Sequence, residues 1–257
     1  MSSEVVRRFE EVENPEIRKR MSFDEVETKQ YLDSHLEGIL AHRAVDHPFL
    51  KWYAENRLTK DQERKLYLEC FYFFRYLPYY IAGMAMSTRS DAVLREIILN
   101  VFDEVCGEVT HSTIYRQFLH QIGISDEDIE SYRCLDTTTA LNLGIKRLYT
   151  EMPIAKSLGA LYADETMSAI MTGRLNEGLA NQGYDEQVRF FWILHTQVEV
   201  GHSNSVFNAI FPYIKEEKTK ELFEAGMSEF LSLVEAYWDG VDVLLRGDGA
   251  DVRRAHG

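Results

Sequence analysis

Apolar residues return every three or four positions along most of this chain, and no alternating apolar and polar run bounded by hairpin turns stands out. The pattern predicts an all-α protein. A first helix is expected over Phe23–His42 and a second over Thr59–Ser87, with Thr59 as N-cap ahead of Asp61 and Glu63, and with a kink at Pro78. A third spans Asp91–Gly123, where glycine suits a helix stop, and Ser125 caps a short helix through Asp126, Glu127 and Asp128. Further helices are expected near Thr137–Thr150, Pro153–Gly173, Asp185–Ile214 and Glu216–Leu245, giving a bundle of about seven helices with short loops. Residues 1–20 and 247–257 are too polar to order themselves, so they are expected as flexible ends around one helical domain at 21–246. No internal repeat or low-complexity linker interrupts that domain.

Composition narrows the picture. With 257 residues, 45% hydrophobic and 12% aromatic, the chain can bury the core of one large domain. The strongly charged start, and the lack of any apolar run long enough to span a bilayer, predict a cytoplasmic protein without membrane contact. A net charge of -14 with no basic stripe argues against nucleic acid as a partner. Cys70, Cys106 and Cys134 are odd in number and form no CxxC pair, which disfavours a disulfide framework or a thiolate zinc site.

Chemistry concentrates in three stretches. In IILNVFDEVCGEVTHSTIYRQFL, the residues Ile97, Val101, Glu104, Glu108, His111 and Tyr115 share one face of the third helix. Glu104 and His111 are two turns apart, roughly 10 Å on an ideal helix, too far for one ion but suited to a pair of ions, and Gly107 between them is a point where the helix can loosen. Glu165 follows Leu158, Leu161 and Tyr162 at inward spacing. In FFWILHTQVEVGHSNSVFNAI, His195, Glu199 and His202 fall at i, i+4 and i+7 among bulky apolar residues. An isolated buried charge is costly, so one shared metal site explains all six residues. Three imidazoles with three carboxylates favour iron or manganese, with zinc still open on ligand type. Three glutamates facing two divalent ions leave about one positive charge, which favours binding an anion. Glu108 reads as a surface or supporting residue, and His35, His42, His47 and His120 as capping, core or surface histidines. The aromatic run Tyr67–Tyr80 reads mostly as core, with part of it walling a substrate pocket. Arg75, Lys146, Arg147 and Lys156 are candidates to hold a substrate carboxylate.

The set Glu104, His111, Glu165, His195, Glu199 and His202 resembles the ligands of the haem-oxygenase-like di-iron oxidases and oxygenases, whose wider fold group includes the TenA thiaminases and the PQQ-synthesis oxidase. HPFLKWYAENRLTKDQ, His47–Gln62, matches the fold group as a whole, and the resemblance runs to about Pro212. It implies a haem-oxygenase-like bundle, a cofactor assembled from two Fe(II) ions with O2 as co-substrate, and oxidation of a small metabolite. Homodimers occur in the group, and the ligand spacing is near that of the chlamydial protein that associates with death domains, a p-aminobenzoate-forming member. Two departures matter: Glu199 stands where aspartate is common, and Gly107 stands where the fatty-acid decarboxylase has a histidine. Oxidation of an amino acid or amine in specialised metabolism therefore ranks above fatty-acid decarboxylation. Cofactor-free chemistry like that of the PQQ-synthesis oxidase or a thiaminase, and a non-enzymatic interaction or iron-storage role, are the remaining alternatives.

Overall fold

The computed structural model describes residues 15–196, 209–210 and 216–247, with side chains from residue 27 onward, and every regular element among them is helical. In chain order the helices are α1 (Pro15–Ala41), α2 (Pro48–Glu55), α3 (Lys60–Phe74), α4 (Leu77–Gly83), α5 (Asp91–Val105), α6 (His111–Gln121), α7 (Asp126–Ser131), α8 (Asp136–Thr150), α9 (Ile154–Gln182), α10 (described over 190–196) and α11 (Glu217–Arg246). A single 3-10 turn, Met84–Met86, follows α4.

Several boundaries follow from side chains that satisfy the exposed N–H groups of a first turn. The Thr59 hydroxyl accepts from Gln62 N while the Gln62 side chain accepts from Thr59 N, and Ser125 and Asp128 form the same reciprocal box at α7. His47 serves α2 in the same way, its Nδ1 accepting from Phe49 N at 3.2 Å. The α2 helix itself was not expected from the apolar spacing.

Four expectations are corrected. The Thr59–Ser87 helix is not merely kinked: it ends at Phe74 and restarts as α4 with Pro78 in the first turn, because proline offers no N–H and its ring clashes with the carbonyl four residues back. The Asp91–Gly123 helix is broken over 106–110, and Thr110 starts α6 afresh by accepting from Thr113 N at 3.2 Å. The helix expected to stop at Gly173 continues to Gln182, because Leu175 and Leu179 prolong its buried face and the left-handed residue is Gly183, φ +97°. The first helix also begins earlier than expected, at Pro15, and proline is well suited to an initial helical position.

The core is held by a close crossing of α9 and α11. A Cβ on Gly159 would lie 1.9 Å from the Phe223 carbonyl oxygen, and one on Gly226 would lie 1.9 Å from that of Lys156, so backbones meet where only glycine fits. Glu229 of α11 clips the same region, accepting from Arg147 at 2.8 Å and Lys156 at 2.5 Å. A second cluster, Tyr67, Phe118, Tyr115 and Trp192, packs edge-to-face or tilted with ring centroids 4.9–5.6 Å apart and brings α3, α6 and α10 together. The cavity described next opens beside that cluster. Among the described residues, no helix is long and apolar enough to cross a membrane.

Candidate metal centre

A cavity of about 90 Å³ lies between α3, α4, α5, α6, α9 and α10, with Phe71, Phe74, Leu77, Ile81, Met171 and Phe191 supplying apolar wall. Glu104, at the end of α5, and His111, the first residue of α6, both face it. The helix break decides this geometry. Glu104 Oε2 and His111 Nδ1 come within 3.0 Å, where an unbroken helix would hold their positions about two turns apart. One ligand atom from each of Glu104, His111 and His195 lies within 4.8 Å of the others.

These donors suit a cation. His111 Nδ1 is buried and has no hydrogen-bond partner, so its closeness to the Glu104 carboxylate is that of two ligands converging without an aligned hydrogen between them. His195 is turned toward the same point: its Nδ1 donates to the Phe191 carbonyl at 2.7 Å, which leaves the ring lone pair on Nε2. The His195 ring also packs on Phe191, centroids 4.1 Å apart, and meets the His111 ring edge-on at 4.8 Å.

Glu165 lies on the same wall, on α9, buried, with its Oε1 accepting from Asn100 Nδ2 at 2.6 Å. It stands outside the tight three-atom cluster. Glu199 and His202, the other two expected ligands, lie outside the described residues. Glu108 is exposed in the break between α5 and α6, as a surface reading requires. Of the four candidate cations, Arg147 and Lys156 are engaged by Glu229, Lys146 is exposed, and Arg75 lines the cavity.

Sequence reasoning missed two polar residues here. Asn100 is buried one turn before Glu104, and its place on the Glu104 face, four residues earlier, was the only trace of it in the sequence. Asp164 precedes Glu165, is buried, and accepts from Tyr149 OH at 3.0 Å. Its carboxyl is pushed up to about 8, first by burial and then by the neighbouring Glu165 charge, with Glu104 adding and the Tyr149 hydrogen bond opposing. A protein that buries adjacent acids on one cavity wall carries a cost that bound cations would remove.

The donors and fold match a known group. A family model described as iron-containing redox enzyme, of haem-oxygenase type, matches residues 65–238. The chain belongs to that family and is an iron-containing oxidoreductase with a haem-oxygenase-like fold. A 4-chloro-allylglycine synthase of Streptantibioticus cattleyicolor is 55% identical over 244 residues, 95% of each chain. A 4-aminobenzoate synthase of Chlamydia pneumoniae is 22% identical, over 71% of this chain and 79% of its own. Among solved structures, a haem-oxygenase-like domain from Shewanella denitrificans superposes with a TM-score of 0.70 at 18% identity, covering 88% of this chain and 96% of its own. A TenA homologue from Pseudomonas syringae gives 0.67 at 15%, covering 83% and 92%.

Proposed function

We propose that this protein is an O2-dependent, non-haem di-iron oxidase whose substrate is a small amino acid and whose product is 4-chloro-allylglycine or a closely related unsaturated amino acid. The convergence of Glu104, His111 and His195 on one buried point carries the reading, and the likeness to the 4-chloro-allylglycine synthase over 95% of both chains supplies its substrate class. Glu165, from the same cavity, together with Glu199 and His202 would complete a six-residue set for two ions. When bound, the irons supply the redox capacity that forming a terminal alkene from a saturated side chain requires, since that conversion removes two electrons.

The chain's own residues supply the rest. His195 Nδ1–H on the Phe191 carbonyl fixes the imidazole rotamer, and Asn100 fixes the Glu165 carboxylate, so both ligands are held before metal arrives. The rings of Phe71, Phe74 and Phe191 exclude water around the reacting carbon. Asp164, held protonated beside Glu165 in the metal-free protein, keeps a proton at its carboxyl within the cavity, and Tyr149 orients it. Cysteine chemistry of the thiaminase kind finds no support: no cysteine lines the cavity, and burial pushes the Cys70 thiol up to about 12. The partner in this reading is a small molecule, and the setting is cytoplasmic.

The test is amino-acid-dependent O2 consumption by Fe(II)-loaded protein, with products followed by mass spectrometry. Saturated chlorinated and unchlorinated amino acids are expected to raise O2 uptake and yield allylglycine-type products. Uptake indifferent to every amino acid supplied would overturn the proposal.

A further inference from the structure

The iron cavity has an outer chamber of opposite charge. A recess of about 240 Å³ lies against it, and Phe71, Arg75 and Ser112 belong to the walls of both. Apart from the shared Arg75, the titratable groups inside are Glu104, Glu165, Asp164, Tyr115 and the two histidines, and outside they are Arg116, Tyr76 and Tyr79. The first turn of α6 also faces the recess through Ser112 and Thr113, which adds the partial positive charge of a helix start.

Arg75 is the cation at the junction, and its surroundings differ from those of the six arginines that pair with acids and from those of Arg57 and Arg189, which donate to carbonyl or amide oxygens. Arg43, Arg64, Arg116, Arg147, Arg174 and Arg246 each meet a carboxylate within 3.2 Å, as expected in a chain with 42 acidic and 28 basic residues. Arg75 meets none among the described residues. Its guanidinium instead sits over Phe71, Tyr72 and Tyr76, 5.1, 5.6 and 4.7 Å from their centroids. Rings on its faces restrict the fork and leave its N–H edge for a planar anion. Arg116 cannot serve in the same way, because Asp126 already accepts from it at 2.6 Å.

We propose that Arg75 binds the substrate's carboxylate at the boundary between the two chambers, so that the remainder of the amino acid extends into the iron cavity. The proposal rests on the amino-acid reading above and adds the residue that selects for the acid end and sets the direction of entry. A substrate oriented this way presents its side chain to Glu104, His111 and His195 and its carboxylate to the recess. An amide or decarboxylated analogue loses the bidentate, charge-assisted pair.

The experiment is isothermal titration of 2-amino-4-chloropentanoic acid, the saturated counterpart of 4-chloro-allylglycine, and of its primary carboxamide, into the Fe(II)-loaded protein under anaerobic conditions. Wild type is compared with Arg75→Met and with Arg75→Lys, which keeps the charge and stem if the first variant folds poorly. The expected result is a loss of at least about tenfold in affinity for the acid in Arg75→Met, an intermediate loss in Arg75→Lys, weak carboxamide binding in all three, and unchanged iron loading. Equal affinity for the acid in wild type and both variants would overturn the role of Arg75 and leave the amino-acid reading standing. No binding of the acid to wild type would overturn both.

Discussion

Replacing Asp164 by asparagine is expected to remove part of the protein's pH dependence. The substitution preserves size and keeps an oxygen to accept from Tyr149, but removes a carboxyl whose folded value is about 8 against an ordinary 3.8. Between those values the unfolded chain has lost a proton that the folded chain retains, so the folded state binds more protons and stability falls as pH rises. At about 1.4 kcal/mol per unit, the burden grows by about 4 kcal/mol between pH 5 and pH 8. Metal-free wild type should carry this slope and metal-free Asp164→Asn should lack it. The assay is urea unfolding of both proteins at several pH values, read as the difference in unfolding free energy between them. That difference should widen in the variant's favour toward pH 8. Parallel curves would refute the assignment of a buried, proton-retaining carboxyl at this position.

Other consequences follow from particular contacts. Gly226→Ala should cost about 3 kcal/mol or more, read as a lower urea midpoint, because its Cβ would meet the Lys156 carbonyl at 1.9 Å and α9 and α11 must separate; a cost below about 1 kcal/mol would mean the crossing is looser than described. Asn100→Leu should weaken Fe(II) binding about ten- to hundredfold in anaerobic titration, since Glu165 loses the amide that orients it; unchanged affinity would deny Asn100 that role. His47 is held below its ordinary value, chiefly by burial and also by the Arg43 charge, so the unfolded chain binds the extra proton and wild type should lose stability as pH falls through about 6.5. His47→Asn, which keeps an N-cap acceptor for α2, should flatten that loss in thermal unfolding from pH 7 to pH 5, and an identical acid limb would contradict it.

Much of this arrangement was legible before any coordinates, and the failures have identifiable causes. Thr59 with Gln62 and Ser125 with Asp128 mark helix starts because the sequence itself carries both halves of a capping box. Glu104, His111, Glu165 and His195 stood out because charged or ligating residues recur at inward spacing within apolar surroundings. The break over 106–110 was hidden by that same spacing, which stays compatible with a continuous helix even where Thr110 starts a new one. Gly173 misled for a related reason: glycine permits a stop, but the left-handed backbone falls at Gly183, where apolar burial runs out. Asn100 and Asp164 escaped notice because one amide, or one more acid in an acidic chain, becomes meaningful only when its burial is known.

The central claim, that this family member holds two irons on the proposed ligand set, is tested most directly by anaerobic Fe(II) titration of the purified apo-protein beside Glu104→Ala and His111→Ala. The account predicts saturation near two irons per chain in wild type, with loss of at least one in each variant, and a transient visible absorption when the loaded wild type meets O2. Saturation at one iron or none, or uptake unchanged in both variants, would contradict it.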